Sequence, residues 1–95
     1  MFVAVRKYKN AGSASAIAEA VHTQLVPVLK EDPGFKGFYV MDCGDGIITS
    51  ISVFESKEAA QRSNDQAKAA RANFSSLLPD DPEIIMGETV LADTP

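Results

Sequence analysis

Apolar and polar residues alternate from the start of the chain. Val3 and Val5 interleave with Phe2, Ala4, Arg6 and Tyr8, and lysines enter toward the end of the run, which predicts a strand over residues 2–9. Asn10-Ala11-Gly12-Ser13 reads as a turn that leaves Ser13 or Ser15 to cap a helix. The period then lengthens. Ile17, Val21, Gln24, Leu25, Val28 and Leu29 share one face at 3.6-residue spacing, which predicts a helix over residues 14–30. Pro27 lies inside that pattern, removes a backbone donor, and predicts a kink or a looser last turn. Asp32-Pro33-Gly34 is the stop.

Residues 35–43 and 47–54 read as two strands joined through Gly44-Asp45-Gly46, a hairpin because such residues accept positive φ cheaply. Phe35 through Met41 is apolar almost continuously, so alternation does not choose its inner face. Ser56 caps a second helix over residues 56–75, with Ala60, Ser63, Ala67, Ala70 and Phe74 turned inward. A rigid connector with Pro79 and Pro82 leads to a last strand over residues 84–92. The order β-α-β-β-α-β predicts an α+β chain. Its ferredoxin-like sheet has four antiparallel strands and two helices on one face, and residues 1–95 form a single domain.

Two helices cover only one face of such a sheet, yet both faces carry apolar residues. In the third strand Ile47, Thr49, Ile51 and Val53 oppose Ile48, Ser50, Ser52 and Phe54. The more uniformly apolar set, Val3, Val5, Ile47, Ile51 and Val53, is expected to pack on the helices, leaving the mixed set on the open face. An open apolar face calls for a cover, and a symmetric homodimer, sheet against sheet, is the common solution. At about 25 cal/mol per Å2, covering several hundred Å2 rivals the whole stability of a small domain.

Charge and composition narrow the partners. The net charge of −4 argues against nucleic acid, whose phosphates demand basic patches. No apolar run approaches the roughly 20 residues of a membrane span. Arg6 and Lys7 interrupt the N-terminus too early for a signal peptide. Cys43 is the single cysteine, so no internal disulfide forms, and a cytoplasmic location is expected.

The residues able to carry chemistry are few. His22, the single histidine, suits proton transfer, and its alternative is a place at the edge of the buried helix stripe. Tyr8 and Tyr39 could position a phenolic substrate or relay a proton, or simply fill space. Arg6 and Glu88 are expected to face each other on adjacent strands, either orienting a ligand in an open-face cavity or forming a cross-strand ion pair. Ser50, Ser52 and Phe54 are expected to line the same cavity, and Asn64, at the margin of the second helix's inner face, could bond a ligand carbonyl. No metal site is expected. The turn Asp42-Cys43-Gly44-Asp45-Gly46 lacks the ligands of a calcium loop, and no second His or Cys stands at ligand spacing.

The stretch Pro33-Gly34-Phe35-Lys36-Gly37-Phe38-Tyr39-Val40-Met41, with Ile51-Ser52-Val53-Phe54-Glu55-Ser56, Leu77-Leu78-Pro79 and Gly87-Glu88, resembles the antibiotic biosynthesis monooxygenase-like family of dimeric α+β barrels. The resemblance runs over nearly the whole chain. It implies two protomers joining their sheets into one barrel, with a cavity in each. Some members oxygenate polycyclic aromatic substrates without metal or flavin. Others cleave haem with an Asn, a Trp and a His. Asn10 stands near the position of that Asn, but the chain has no Trp, and His22 lies on the first helix.

The function so implied is a cofactor-independent, monooxygenase-like protein that binds a small aromatic or quinone-type molecule, with Arg6, Tyr8, Tyr39 and His22 in the site. Its alternatives are a non-catalytic dimeric ligand-binding or scaffold protein, and a haem binder with His22 as ligand.

Overall fold

Two serines start the principal helices. Ser13 Oγ accepts from the Ala16 amide at 3.3 Å, and Ser56 Oγ from the Ala59 amide at 3.1 Å, each satisfying a donor that the first helical turn leaves free. In the computed structural model, which describes residues 1–95, the elements run β1 (Phe2–Tyr8), α1 (Ala14–Gln24), α2 (Val26–Leu29), β2 (Phe35–Gly44), β3 (Ile47–Phe54), α3 (Lys57–Arg71) and β4 (Glu83–Glu88). A short 3-10 turn, Ala72–Phe74, extends α3.

The strands form one antiparallel sheet in the order β2-β3-β1-β4, with the helices on one face. This is the ferredoxin-like α+β arrangement expected from the element order. At the β2–β3 turn Gly44, Asp45 and Gly46 all take positive φ, at 81°, 54° and 73°. Glycine pays nothing for that region, and aspartate tolerates it better than most residues.

The long first helix of the sequence reading is two helices. It breaks at Leu25, where Pro27 cannot donate to the carbonyl one turn back, and α2 restarts with that proline in its first turn. Ile17, Val21, Leu25 and Leu29 are buried as expected, but Gln24, the last residue of α1, and Val28, on α2 beyond the break, face solvent. The last strand is also shorter than expected. It ends at Glu88, and Val90 and Leu91 beyond it are 97% and 81% exposed.

The larger correction concerns the sheet. Its faces are the reverse of the expectation. Ala4, Arg6, Tyr8, Ile48, Ser50, Ser52 and Phe54 are buried under the helices, while Val3, Val5, Ile47, Ile51 and Val53 point outward and stay half-exposed. Size is the reason. Ala4, Ser50 and Ser52 let α3 lie close with its own small residues Ala60, Ser63 and Ala67, and Tyr8, Ile48 and Phe54 fill the space toward α1 and α2. A uniformly valine and isoleucine face would hold α3 farther away.

Candidate functional site

The site begins with an arginine under a helix. Arg6, at mid-strand in β1, is 1% exposed. Its guanidinium donates to the hydroxyls of Ser63 on α3 (2.8 Å), Ser52 (3.1 Å) and Ser50 (3.4 Å) on β3. Strand register brings this about, since Arg6 lies directly opposite Ser50 on β3 and Ile84 on β4. Ser63 in turn donates to the Ala60 carbonyl, so α3 supplies an acceptor already held in place.

None of these partners is charged. No carboxylate pairs with Arg6, and its Nε has no hydrogen-bond partner. Burial draws its pKa below the ordinary arginine value, and the neighbouring Tyr8 opposes that shift. Burial likewise lifts the Tyr8 phenol above its usual range, against the pull of Arg6 and Arg71. At neutral pH Tyr8 is therefore an uncharged hydroxyl.

Beside these two residues lies a cavity of about 220 Å3 between β1, α3 and the loop before β4. Asn64, Lys68 and Arg71, one turn apart on α3, line it with Arg6, Tyr8 and Asp81. Asp65 stands at its exposed rim, and Ile84 is the β4 residue that borders it. Asn64 Nδ2 donates to Met86 Sδ at 3.0 Å, leaving Asn64 Oδ1 buried and unpaired. Arg71 donates to the carbonyls of Leu78 (2.9 Å) and Asp80 (3.0 Å) and pairs with Asp81, fixing the loop that forms one wall. A second, narrow apolar space of about 20 Å3 opens behind Tyr8 and Arg71, among Ile17, Val21, Phe38 and Leu78.

The sequence-predicted residues thus divide. Arg6, Tyr8 and Asn64 come together at one cavity, with Ser50 and Ser52 beneath as hydrogen-bond acceptors of Arg6. Phe54 is wholly buried in the core and lines neither space. Three others are elsewhere. Tyr39, 58% exposed, pairs with Ile51 on the outward face, the side of the sheet away from the cavity. His22 is on the exposed side of α1. Glu88 is exposed opposite Phe2, two residue pairs past Ala4–Met86 and far along β1 from Arg6, so the expected Arg6–Glu88 pairing does not form.

Asp65, Lys68, Arg71, Asp81 and Ile84 were missed. The signal for the helical ones was the spacing of Asn64, Lys68 and Arg71, a polar stripe beside the small inner residues. No cluster of three or more His, Cys, Asp or Glu side chains could hold a metal ion. Nor do the residues fit a haem, because the one imidazole that could ligate its iron lines neither cavity.

No family model matches the sequence, and no curated protein sequence does. Solved structures do match in fold. A monooxygenase of Streptomyces coelicolor, solved in complex with nanaomycin D, superposes with a TM-score of 0.76 at 24% identity, over 99% of this chain and 91% of that one. A Nitrosomonas europaea protein of unknown function gives 0.75 at 21% identity, over 99% and 93%. A Caulobacter crescentus protein whose name assigns it to antibiotic biosynthesis monooxygenases gives 0.69 at 21%, over 95% and 90%. The chain therefore has the ferredoxin-like α+β fold of structures named antibiotic biosynthesis monooxygenases, the same family that its sequence resembles.

Proposed function

We propose that this chain binds a small, single-ring aromatic or quinone-type molecule in the cavity between β1 and α3, and acts on it as a cofactor-independent monooxygenase. The carrying observation is Arg6, a buried cation with no carboxylate partner at the edge of a cavity. A chain does not hold such a charge for stability, because removing a cation from water is costly. The volume sets the size of the ligand. About 220 Å3 falls below the roughly 300–1,000 Å3 of drug-sized sites, which favours one ring over several. The fold is shared with a monooxygenase that holds nanaomycin D, which lends the reading support.

In this reading the electron-rich anion of a hydroquinone reacts with dioxygen, one oxygen atom enters the ring, the other leaves as water, and the substrate's own oxidation to a hydroxyquinone supplies the electrons, while the protein supplies desolvation, orientation and hydrogen bonds. Tyr8, uncharged at neutral pH, donates to a ligand oxygen. Asp65, free of any ion pair at the rim, is the proton acceptor. The protein works in the cytoplasm, where its exposed Cys43 stays reduced. It works as a homodimer through the outward sheet face, whose Val3, Val5, Ile51 and Val53 are flanked by exposed Tyr39, Met41 and Ile85. The exposed Val90 and Leu91 add further apolar surface for the second copy.

One observation favours a non-catalytic binding protein instead. Asp81, the other carboxylate of the cavity, is tied to Arg71, so bases are scarce. Oxygen uptake with a panel of single-ring hydroquinones, run beside amide chemical-shift mapping, separates the readings. Uptake above the spontaneous rate, lost in Tyr8→Phe or Asp65→Asn, is the expected result. Shifts at cavity residues without uptake select the binding protein, and no shift there with any compound removes both.

A further inference from the structure

The two buried side-chain atoms without a hydrogen-bond partner, Arg6 Nε and Asn64 Oδ1, belong to residues of the same cavity. One is a donor on a cation and the other is an acceptor. We infer that the ligand is a small organic oxyanion that also carries a hydroxyl, its charged oxygen facing Arg6 and its hydroxyl donating to Asn64. This rests on the cavity being the binding site and adds the chemical class that it selects.

A guanidinium has five N–H donors, and Arg6 makes three hydrogen bonds, so at least two N–H groups are free. Its three acceptors are neutral hydroxyls, which answer its geometry and leave its charge uncancelled. Nothing in the chain can cancel it. The four ion pairs engage other residues, Asp81 is held by Arg71, and Asp65 is at the exposed rim. An anion from outside is the missing partner.

Asn64 narrows the class. Its amide is oriented by the Nδ2–H donated to the Met86 sulfur, a weak acceptor, and this leaves Oδ1 in need of a donor. A neutral ligand could satisfy Asn64 but leave the Arg6 charge unmatched. A bare anion would do the reverse and add its own repulsion to the carbonyl. Only a ligand with both groups completes the pair. Both atoms are buried, and both residues line the cavity. Ile84, opposite Arg6 on the edge strand and 48% exposed, borders the cavity on the β4 side.

The probes are 2-, 3- and 4-hydroxybenzoate, with their methoxybenzoate and hydroxybenzamide counterparts, titrated by amide chemical shifts and calorimetry. The methoxy series removes the donor and the amide series removes the charge. The expected result is one hydroxybenzoate bound about 10-fold or more tighter than both of its counterparts, the lower range for leaving one buried polar group unpaired, with shifts at Tyr8, Asn64 and Lys68. Arg6→Met should erase the preference for charge, and Arg6→Lys should restore part of it. Asn64→Leu should erase the preference for hydroxyl over methoxy and keep the preference for charge.

Equal binding of charged and neutral members within the cavity would overturn this inference while leaving the cavity as a ligand site. Absence of cavity shifts with every probe would overturn the binding reading itself, and this inference with it. Should Arg6→Met fail to fold, Asn64→Leu decides alone, because an unchanged hydroxyl preference in that variant overturns the pairing.

Discussion

The two faces of this sheet invert the usual division of labour. On β1 the residues turned to the helices are Ala4, Arg6 and Tyr8, and on β3 Ile48, Ser50, Ser52 and Phe54. The residues turned to the open side are valines and isoleucines with one lysine and one threonine. The covered face is thus the more polar. Two pressures account for it. The helices need small partners to approach closely, which serines and alanine supply, and the ligand-binding role proposed for the cavity calls for a charge, which Arg6 supplies. The open face has no such duty, and its mainly apolar character fits contact with a second copy. Apolar patterning alone therefore identifies that a face will be covered, and not by what.

Removing a large side chain from each face gives the biggest contrast. Phe54 is 0% exposed and meets Phe35 edge-on, ring centroids 5.7 Å apart. Phe54→Ala should cost about 3–5 kcal/mol in a denaturant titration, as other buried Phe→Ala changes do. Its neighbour Val53 points outward and is half-exposed in the protomer. Val53→Ala should cost about 1 kcal/mol or less under dissociating conditions. Equal losses in the two would mean that the outward face is as tightly packed within one protomer as the inward one.

The next contrast tests what covers the open face. Ile51 lies in the middle of it, paired with Val5 on one side and Tyr39 on the other. Ile51→Asp would bury two like charges in a symmetric interface. Sedimentation should show a dimer turned to monomer, with a dissociation constant raised by about 100-fold or more and an unchanged far-UV spectrum. A dimer that persists at micromolar concentration would place the interface elsewhere.

Element order, the Ser56 cap and the hairpin at Gly44-Asp45-Gly46 were legible because each depends on local chemistry, and the first cap was narrowed to Ser13 or Ser15, of which Ser13 caps. The strand faces were not. Periodicity separates two faces but does not rank them, and the ranking by apolar character failed where the polar face was the covered one. In β2 a bulge adds to the near-continuous apolar run. Phe35 pairs with Phe54 and Gly37 with Val53, so Lys36 is an extra residue and alternation slips by one. The site was legible in part. Arg6, Tyr8 and Asn64 stood out as polar residues in or beside apolar patterns. Arg71 and Asp81 did not, because their role depends on the loop before β4 folding back on α3. His22 and Tyr39 drew notice by residue type alone, and the fold puts neither at the cavity.

The smallest expected effect concerns how the helix layer is tied to the sheet edge. Asp32, in the turn that enters β2, accepts from Arg62 of α3 at 2.8 Å and from the Gly34 amide at 2.9 Å. The Arg62 hydrogen bond first, and the Gly34 amide second, hold its carboxyl below the ordinary value of 3.8. A carboxyl whose folded pKa is depressed contributes stability that is fully present above its unfolded pKa and is lost as pH falls through the folded one. The window is therefore below about pH 4, and nothing should change near neutrality. Asp32→Asn should flatten the acid limb of a melting-temperature profile in that window, and Arg62→Gln should do so partially, because the Gly34 amide remains. An acid limb identical in all three proteins would show that this tie does not couple the covered face to its helices.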